Sequence, residues 1–517
     1  MPSFVREPLR NLTSVEKRIC IETINGERNG VVFSAAYSKG NGREETWNDD
    51  ATLLTVRDQR LTSSLVYQAL SSMIRDNVEL FTTINECMQF EPVLQITVDD
   101  VIRKVEFESY KDELVNCHNG IPPYLLRHIF DKSKFSLGKQ QPLWELFIVD
   151  ETMVVFHGHD VLFDIFAAAN FHKLFLRSLN SLTASEAPVS DCLFKYKAGS
   201  GILQKSIFEN PKLHLPAIAS DLFQLQTRAF FKSVYNLTVK KPLEFLESGQ
   251  TGTAKSYQSH YTDILSGTRD LCGTIIFGNI SPDRFQSLKK IINRENICLR
   301  SFICAIVLLC LKPLVRKFDG SITFSVPVDL RDSIPWSTPF GLYYKDILID
   351  CPLSLINDRI FKGLNVYNGY DPSNVKPSER DPAFEESLLE YQFRESVSYV
   401  SGCLKQRMRT WERCQFNDDD IKRMKFTKSE SRKTVKSKII EINDVTNQQF
   451  CTAEEMTYHI KDVCLTSSRN SDAFMSISYC YSDEFGLNIC IHYPEGYAME
   501  TFVECFQSFM EELSRIQ

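Results

Sequence analysis

The tightest constraint on the fold lies between Gln141 and Leu182, where two strand patterns run directly into a helical one. LWELFIVD and ETMVVFHGHD are dense in β-branched and aromatic residues and read as neighbouring strands. IFAAANFHKLFLRSLNSL then returns to helical period. A sheet carrying a helix on one face follows. The second half repeats the mixture. PDRFQSLKKIINRENICLRSFICAIVLLCLKPLV reads as two successive helices, SITFSVPVDLR, SDAFMSISYCYS and LNICIHY as strands, and METFVECFQSFMEELSRI as a closing amphipathic helix. Upstream, LTSSLVYQALSSMIRDNVELF carries Leu61, Leu65, Ala69, Leu70, Met73 and Ile74 near helical spacing.

Between the halves the pattern weakens. Pro188, Gly199, Gly201, Pro211 and Pro216 punctuate a stretch that reads as a crossover. The expected division is an N-terminal lobe over 1–184, a crossover over 185–266, and a C-terminal lobe over 267–517 with a basic insertion near 418–439. Within it, Lys422 to Lys438 hold eight basic residues against one acid, either a solvated loop or a surface for an anionic membrane.

Composition narrows the function. The 517 residues are 43% apolar and 24% charged, which are globular proportions. With 59 Lys+Arg against 66 Asp+Glu the net charge is −7, and nucleic acid is excluded as the main ligand. The 16 cysteines include no C-x-x-C pair and several lie in apolar runs, as buried small hydrophobes in a reducing compartment do. The longest uncharged apolar run, Phe302 to Leu311, is half of the about 20 residues a membrane span needs, so it reads as a core helix. A monomeric cytoplasmic protein is expected. A membrane contact, if the basic stretch makes one, would be peripheral, on endoplasmic reticulum or lipid droplets.

His157, His159, Asp160 and Asp164 fall within eight residues at a strand end. Zinc uses such ligands, but the spacing is poor and no further cluster completes a shell, so no metal is expected. A polar strand end and a catalytic strand end remain as readings. GQTGTAKS fails P-loop spacing, and there is no Gly-x-Ser-x-Gly elbow for a serine nucleophile.

QPLWELFIVDETMVVFHGHDVLFDIFAAANFHKLF resembles the HHxxxDG region of the CoA-dependent acyltransferases related to chloramphenicol acetyltransferase and condensation domains. It is most similar to that of the fungal alcohol acetyltransferases and their N-acetyltransferase relatives. The likeness rests on Pro142, Leu143, Trp144 and Glu145, on His159, Phe163 and Asp164, and on Phe171, His172 and Lys173. VPVDLRD with FGLYYKDI resembles a later family stretch, and LNICIHYPEGYAMETFVECFQSFMEEL resembles its last strand and helix.

The resemblance implies an α/β (α+β) fold of two chloramphenicol-acetyltransferase-like lobes, mostly antiparallel sheets with helices, and a channel between them. It implies no permanently bound cofactor, acetyl-CoA as co-substrate, and a small hydrophobic acceptor (an alcohol, a sterol or a long-chain amine). His159 takes the place of the first motif histidine, and Asp160 that of the second, the family's general base. Ile165 replaces the motif glycine. Asp164 is then the motif aspartate, with Arg331 as its implied partner, or else Arg331 is a strand-end surface charge. His157, Phe163 and Gly341 are channel candidates, Gly341 alternatively a plain turn. A base of pKa near 7 suits acyl transfer to an alcohol, whereas an aspartate at about 3.9 serves poorly unless burial raises it. A bulge at Gly158 re-aiming His159, a desolvated Asp160, or an amine acceptor would each compensate. A non-catalytic relative that binds acyl-CoA, lipid or protein is the alternative.

Overall fold

A computed structural model describes residues 9–39, 61–106, 121, 123–182, 190–197, 199–209, 274–294, 296–311, 321–352, 382–413, 438–450, 457–467, 473–493, 502–506 and 508–509. Most of the expected crossover, residues 422–437 of the basic stretch, and most of the closing helix lie outside these residues. Contacts divide the chain into Met1–Glu209 with Leu271–Lys405 and Val435–Gln517, and a second unit, Asn210–Asp270 with Gln406–Thr434. Of the second unit only the helical residues 406–413 are described.

The principal elements of the N-terminal half are α1 (Ser14–Ile24), β1 (Val31–Lys39), α2 (Ser63–Asp76), β2 (Ile102–Val105), α3 (Pro123–Lys132), β3 (Trp144–Val149), β4 (Met153–Gly158) and α4 (Ile165–Ser181). Side-chain oxygens start three of the helices. Thr13 and Glu16 form a capping box on α1, Thr62 caps α2, and Asp164 caps α4. The second half supplies β5 (Thr274–Ile280), α5 (Pro282–Arg294), α6 (Leu299–Cys310), β6 (Ser321–Asp329), β7 (Tyr344–Pro352), α7 (Pro382–Arg413), β8 (Lys438–Asp444), β9 (Tyr458–Ser467), β10 (Ala473–Ser482) and β11 (Gly486–Tyr493).

Two main sheets organise these strands, in the orders β9-β1-β4-β3-β2 and β5-β11-β10-β8-β6-β7. The first is antiparallel except for β2 beside β3. The second is mixed, with β8 parallel to both β6 and β10. The expected strand pair is a tight hairpin, with Glu145 opposite His157 and Trp144 opposite Gly158. Strand β9 crosses from the C-terminal half to become the edge of the first sheet, paired along β1.

Helix α4 packs on β1, β4 and α2 through an aromatic layer. Phe156 stacks on Phe171 at 4.3 Å, and the Trp144 indole donates to the Leu80 carbonyl at 2.8 Å. The apolar run from Phe302 forms the body of α6, buried on every side. No helix of the described residues is long and apolar enough to cross a membrane. Helix α7 has no counterpart in the periodicity reading. Its inward row includes Gln392, Ser396 and Ser401 beside Val397, Val400 and Leu404, so half the buried face is polar and no apolar stripe marks it.

Strand β9 buries a carboxyl where its pairing with β1 shifts register. Asp462 is 3% exposed and accepts from Asn488 at 2.6 Å and Ser482 at 3.3 Å, while Oδ2 has no hydrogen-bond partner. Burial, opposed by those hydrogen bonds, pushes its pKa up to about 7. The folded state therefore holds this proton more tightly than the unfolded chain does. Its contribution is present below about pH 4, the unfolded range, and is lost as pH rises towards 7, at about 1.4 kcal/mol for each unit of difference. Asp462→Asn keeps the acceptor and has no proton to lose. It should melt above wild type at pH 7.5 and with wild type at pH 4; parallel melting curves across that range would contradict the assignment.

Candidate active site

The hairpin ends at Gly158, where there is no room for a side chain. A Cβ there would stand 2.6 Å from the Phe156 ring and 2.9 Å from Phe163. The chain then turns tightly: the His159 amide donates to the Leu143 carbonyl, and the Leu162 and Phe163 amides both donate to the His159 carbonyl. Hairpin pairing continues unshifted to Gly158, so no bulge re-aims His159.

Asp164 follows as the N-cap of α4 and accepts from the Ala167 amide at 2.7 Å. It also accepts from Arg331 at 2.9 and 3.1 Å and from the Tyr343 amide at 3.0 Å. The pair is dry, with side-chain exposures of 1% for Asp164 and 9% for Arg331. Arg331 donates further to Asp329 and to the Pro339 and Gly341 carbonyls. Gly341 bridges Phe163 and donates to the Leu162 carbonyl at 2.8 Å. Its φ of +91° and a Cβ position 2.7 Å from the Tyr343 ring both call for glycine. Thr338 donates to buried Glu79, and Asn170 to the Pro339 carbonyl. The 331–343 segment is thereby knotted to the turn before α4.

The two histidines are absorbed by architecture. His157 is fully buried, with Nε2 2.7 Å from the Asn29 carbonyl and Nδ1 3.1 Å from Glu145. His159 is fully buried, accepts from the Val161 amide at Nδ1, and has no hydrogen-bond partner at Nε2. Burial first, then Arg28 and His157, lower its pKa to about 3, so it is neutral with the proton on Nε2. Phe163 is fully buried between Phe156 and Phe340. His172 ties α4 to β1 through Tyr37 and the Phe33 carbonyl, and burial lowers its pKa to about 4.

Asp160 is the more open of the two motif carboxylates, its side chain 18% exposed against 1% for Asp164. It lines a pocket of about 80 Å³ with Arg28, Asp164 and Ile165. The opposite wall is one face of the second sheet: Ser325 and Pro327 from β6, Tyr344 and Asp346 from β7, and Glu441 and Asn443 from β8, with Ser467 at the end of β9 in the first sheet completing the lining. Each of β6, β7 and β8 contributes at spacing two, as the pleat requires. Asp160 accepts from the Gly30 amide at 3.2 Å and lies 3.7 Å from Arg28. Burial raises its pKa above the usual aspartate range, with Arg28 pulling the other way. Asp346 and Tyr344 are raised chiefly by burial as well. No group of three or more metal-ligating side chains occurs among the described residues.

Of the expected site residues, Asp160 and Asp164 line the pocket; Arg331 reaches it through Asp164, and Gly341 is held behind it by Arg331 and the Leu162 carbonyl. His157, His159 and Phe163 do not line it. The sequence reading passed over Arg28, Tyr344, Asp346, Glu441 and Asn443. The alternating polar residues in β6, β7 and β8 were the available signal, since strands facing a second layer on both sides should be apolar. Arg28, in a loop, carried none.

The model of the alcohol acetyltransferase family matches residues 59–341. PSTB2-interacting protein 1 of Saccharomyces cerevisiae is 43% identical, over 97% of this chain and 99% of its own length. Among solved structures, the TRI3 trichothecene 15-O-acetyltransferase of Fusarium sporotrichioides has a TM-score of 0.54 at 10% identity, covering 98% of this chain and 94% of that one. The first condensation domain of the calcium-dependent antibiotic synthetase has a TM-score of 0.51 at 12% identity, covering 99% and 97%. At these identities the two structures share the fold.

Removing one member of a dry, hydrogen-bonded ion pair leaves the other charge buried. Asp164→Ala and Arg331→Ala are each expected to cost about 3–5 kcal/mol of stability. The double variant should cost clearly less than their sum, because no orphaned charge remains. Denaturant melts of the four proteins measure this, and additive losses would show that the pair is not coupled.

Proposed function

The chain belongs to the alcohol acetyltransferase family, and on that premise we propose that it transfers an acetyl group from acetyl-CoA to a small hydrophobic acceptor, with Asp160 as general base. The observation that carries this reading is the environment of Asp160. It stands at the family's base position, faces the pocket, and has a pKa raised by burial. A carboxylate so raised removes a proton better than an ordinary aspartate does. An amine acceptor suits it better than an alcohol, because a neutral amine attacks a thioester with little help from a base. His159, neutral and away from the pocket, holds the turn that presents Asp160. Acetyl-CoA serves as co-substrate, and no resident metal or cofactor takes part.

A second reading has its own support. The Saccharomyces relative bears the name of an interacting protein, which favours a chain that keeps the fold to bind a protein partner. Labelled acetyl-CoA, offered with a panel of alcohols and amines, separates the two. Turnover supports the enzyme; no turnover in wild type or Asp160→His, together with no CoA binding by calorimetry, supports the binding protein.

For the enzyme, Asp160→Ala should lower turnover by about 10²–10⁴, the usual loss with a general base. Wild-type kcat/KM should rise with pH as Asp160 loses its proton, at a midpoint above the ordinary aspartate range. Asp160→His should move that midpoint towards 6.5, the imidazole value. A profile that keeps its midpoint in both variants would assign the base elsewhere.

A further inference from the structure

A base removes the proton of the acceptor, but acyl transfer also builds negative charge on the thioester oxygen, and that charge needs a donor. Most donors on the pocket wall are already engaged. Ser325 gives its hydroxyl to Asp346. Asn443 gives its amide to Ser467, Ser476 and Ser478. Arg28, on the Asp160 side of the pocket, stands between two carboxylates, 3.5 Å from Glu22 and 3.7 Å from Asp160, and its Nε makes no hydrogen bond. On the opposite wall the free donor is Tyr344, which lines the pocket and whose hydroxyl is hydrogen-bonded to none of the described residues.

Its placement is fixed by the neighbouring knot. The Tyr343 amide is held by Asp164, and the Tyr343 ring lies under the Arg331 guanidinium at 5.4 Å. The pleat of β7 then sends Tyr344 to the other face, the one that Asp346 shares and that Asp160 confronts. Burial keeps the phenol protonated well beyond neutral pH, so it is a hydrogen-bond donor under all working conditions.

We propose that Tyr344 is a catalytic residue that donates its hydroxyl hydrogen bond to the oxyanion formed on the acetyl thioester, across the pocket from Asp160. The proposal rests on the acetyltransferase reading above. As the acceptor nitrogen or oxygen bonds to the carbonyl carbon, its proton passes to Asp160 and the carbonyl π pair moves onto oxygen, where Tyr344 donates without giving up its proton. When the pair returns, the C–S bond breaks and CoA leaves as a thiolate that takes the proton from Asp160. No further reactant is required.

Tyr344→Phe removes the hydroxyl and keeps the ring. Steady-state kinetics of the full chain should show kcat lowered by about 10²–10³, the usual effect of losing one oxyanion donor, with KM for acetyl-CoA and the melting temperature unchanged. Tyr344→Gln, which restores an N–H donor, should recover part of the rate. Wild-type kcat in Tyr344→Phe would overturn this role and leave the acetyltransferase intact. Absence of turnover by wild type would overturn both.

Discussion

Everything at the site hangs on the ion pair between Asp164 and Arg331. One carboxylate caps α4, receives the guanidinium, and accepts the Tyr343 amide, so three separate stretches of chain end on it. In dry surroundings such a charge is tolerable only when every partner is in place. The pair therefore fixes the turn at 159–163, the crossing of Phe163 by Gly341, and the start of β7 together. The face of β7 that carries Tyr344 and Asp346 is set from the same point.

Two aspartates four residues apart show how the same group is turned to different ends. Asp164 is saturated by donors and is spent on structure. Asp160 has one amide and a more distant guanidinium, and its charge is resisted by burial. A carboxylate of the second kind retains a use for a proton. The histidines make the same point in reverse. Each looks reactive in sequence, yet His157 joins Asn29 to Glu145, and His159 is buried with its Nδ1 held by the Val161 amide. The acetyltransferase reading draws on the pocket at Asp160, while the protein-partner reading draws on a surface that the pocket does not define.

Much of the fold was legible because strong local signals coincide with tertiary structure. The hairpin over Trp144–Gly158, helix α6, and strands β10 and β11 all read from apolar pattern alone. Helix α7 was not legible, since Gln392, Ser396 and Ser401 turn inward and break the apolar stripe. Strand β9 gave no hint that it completes the first sheet, because pairing across more than 400 residues leaves no local trace. At the site, Asp160 and Asp164 were legible through their place in a motif. Arg28 and the polar face of β6, β7 and β8 were not, because they meet Asp160 only once the two sheets face each other.

The most direct test of acyl transfer at Asp160 is a crystal structure with an acetyl-CoA analogue whose sulfur is replaced by a methylene group. The acetyl carbonyl is expected in the pocket, its oxygen within hydrogen-bond reach of Tyr344 and its carbon open to attack from the Asp160 side. An analogue bound with its acetyl end elsewhere, or a protein that takes up none at saturating concentration, would contradict the assignment.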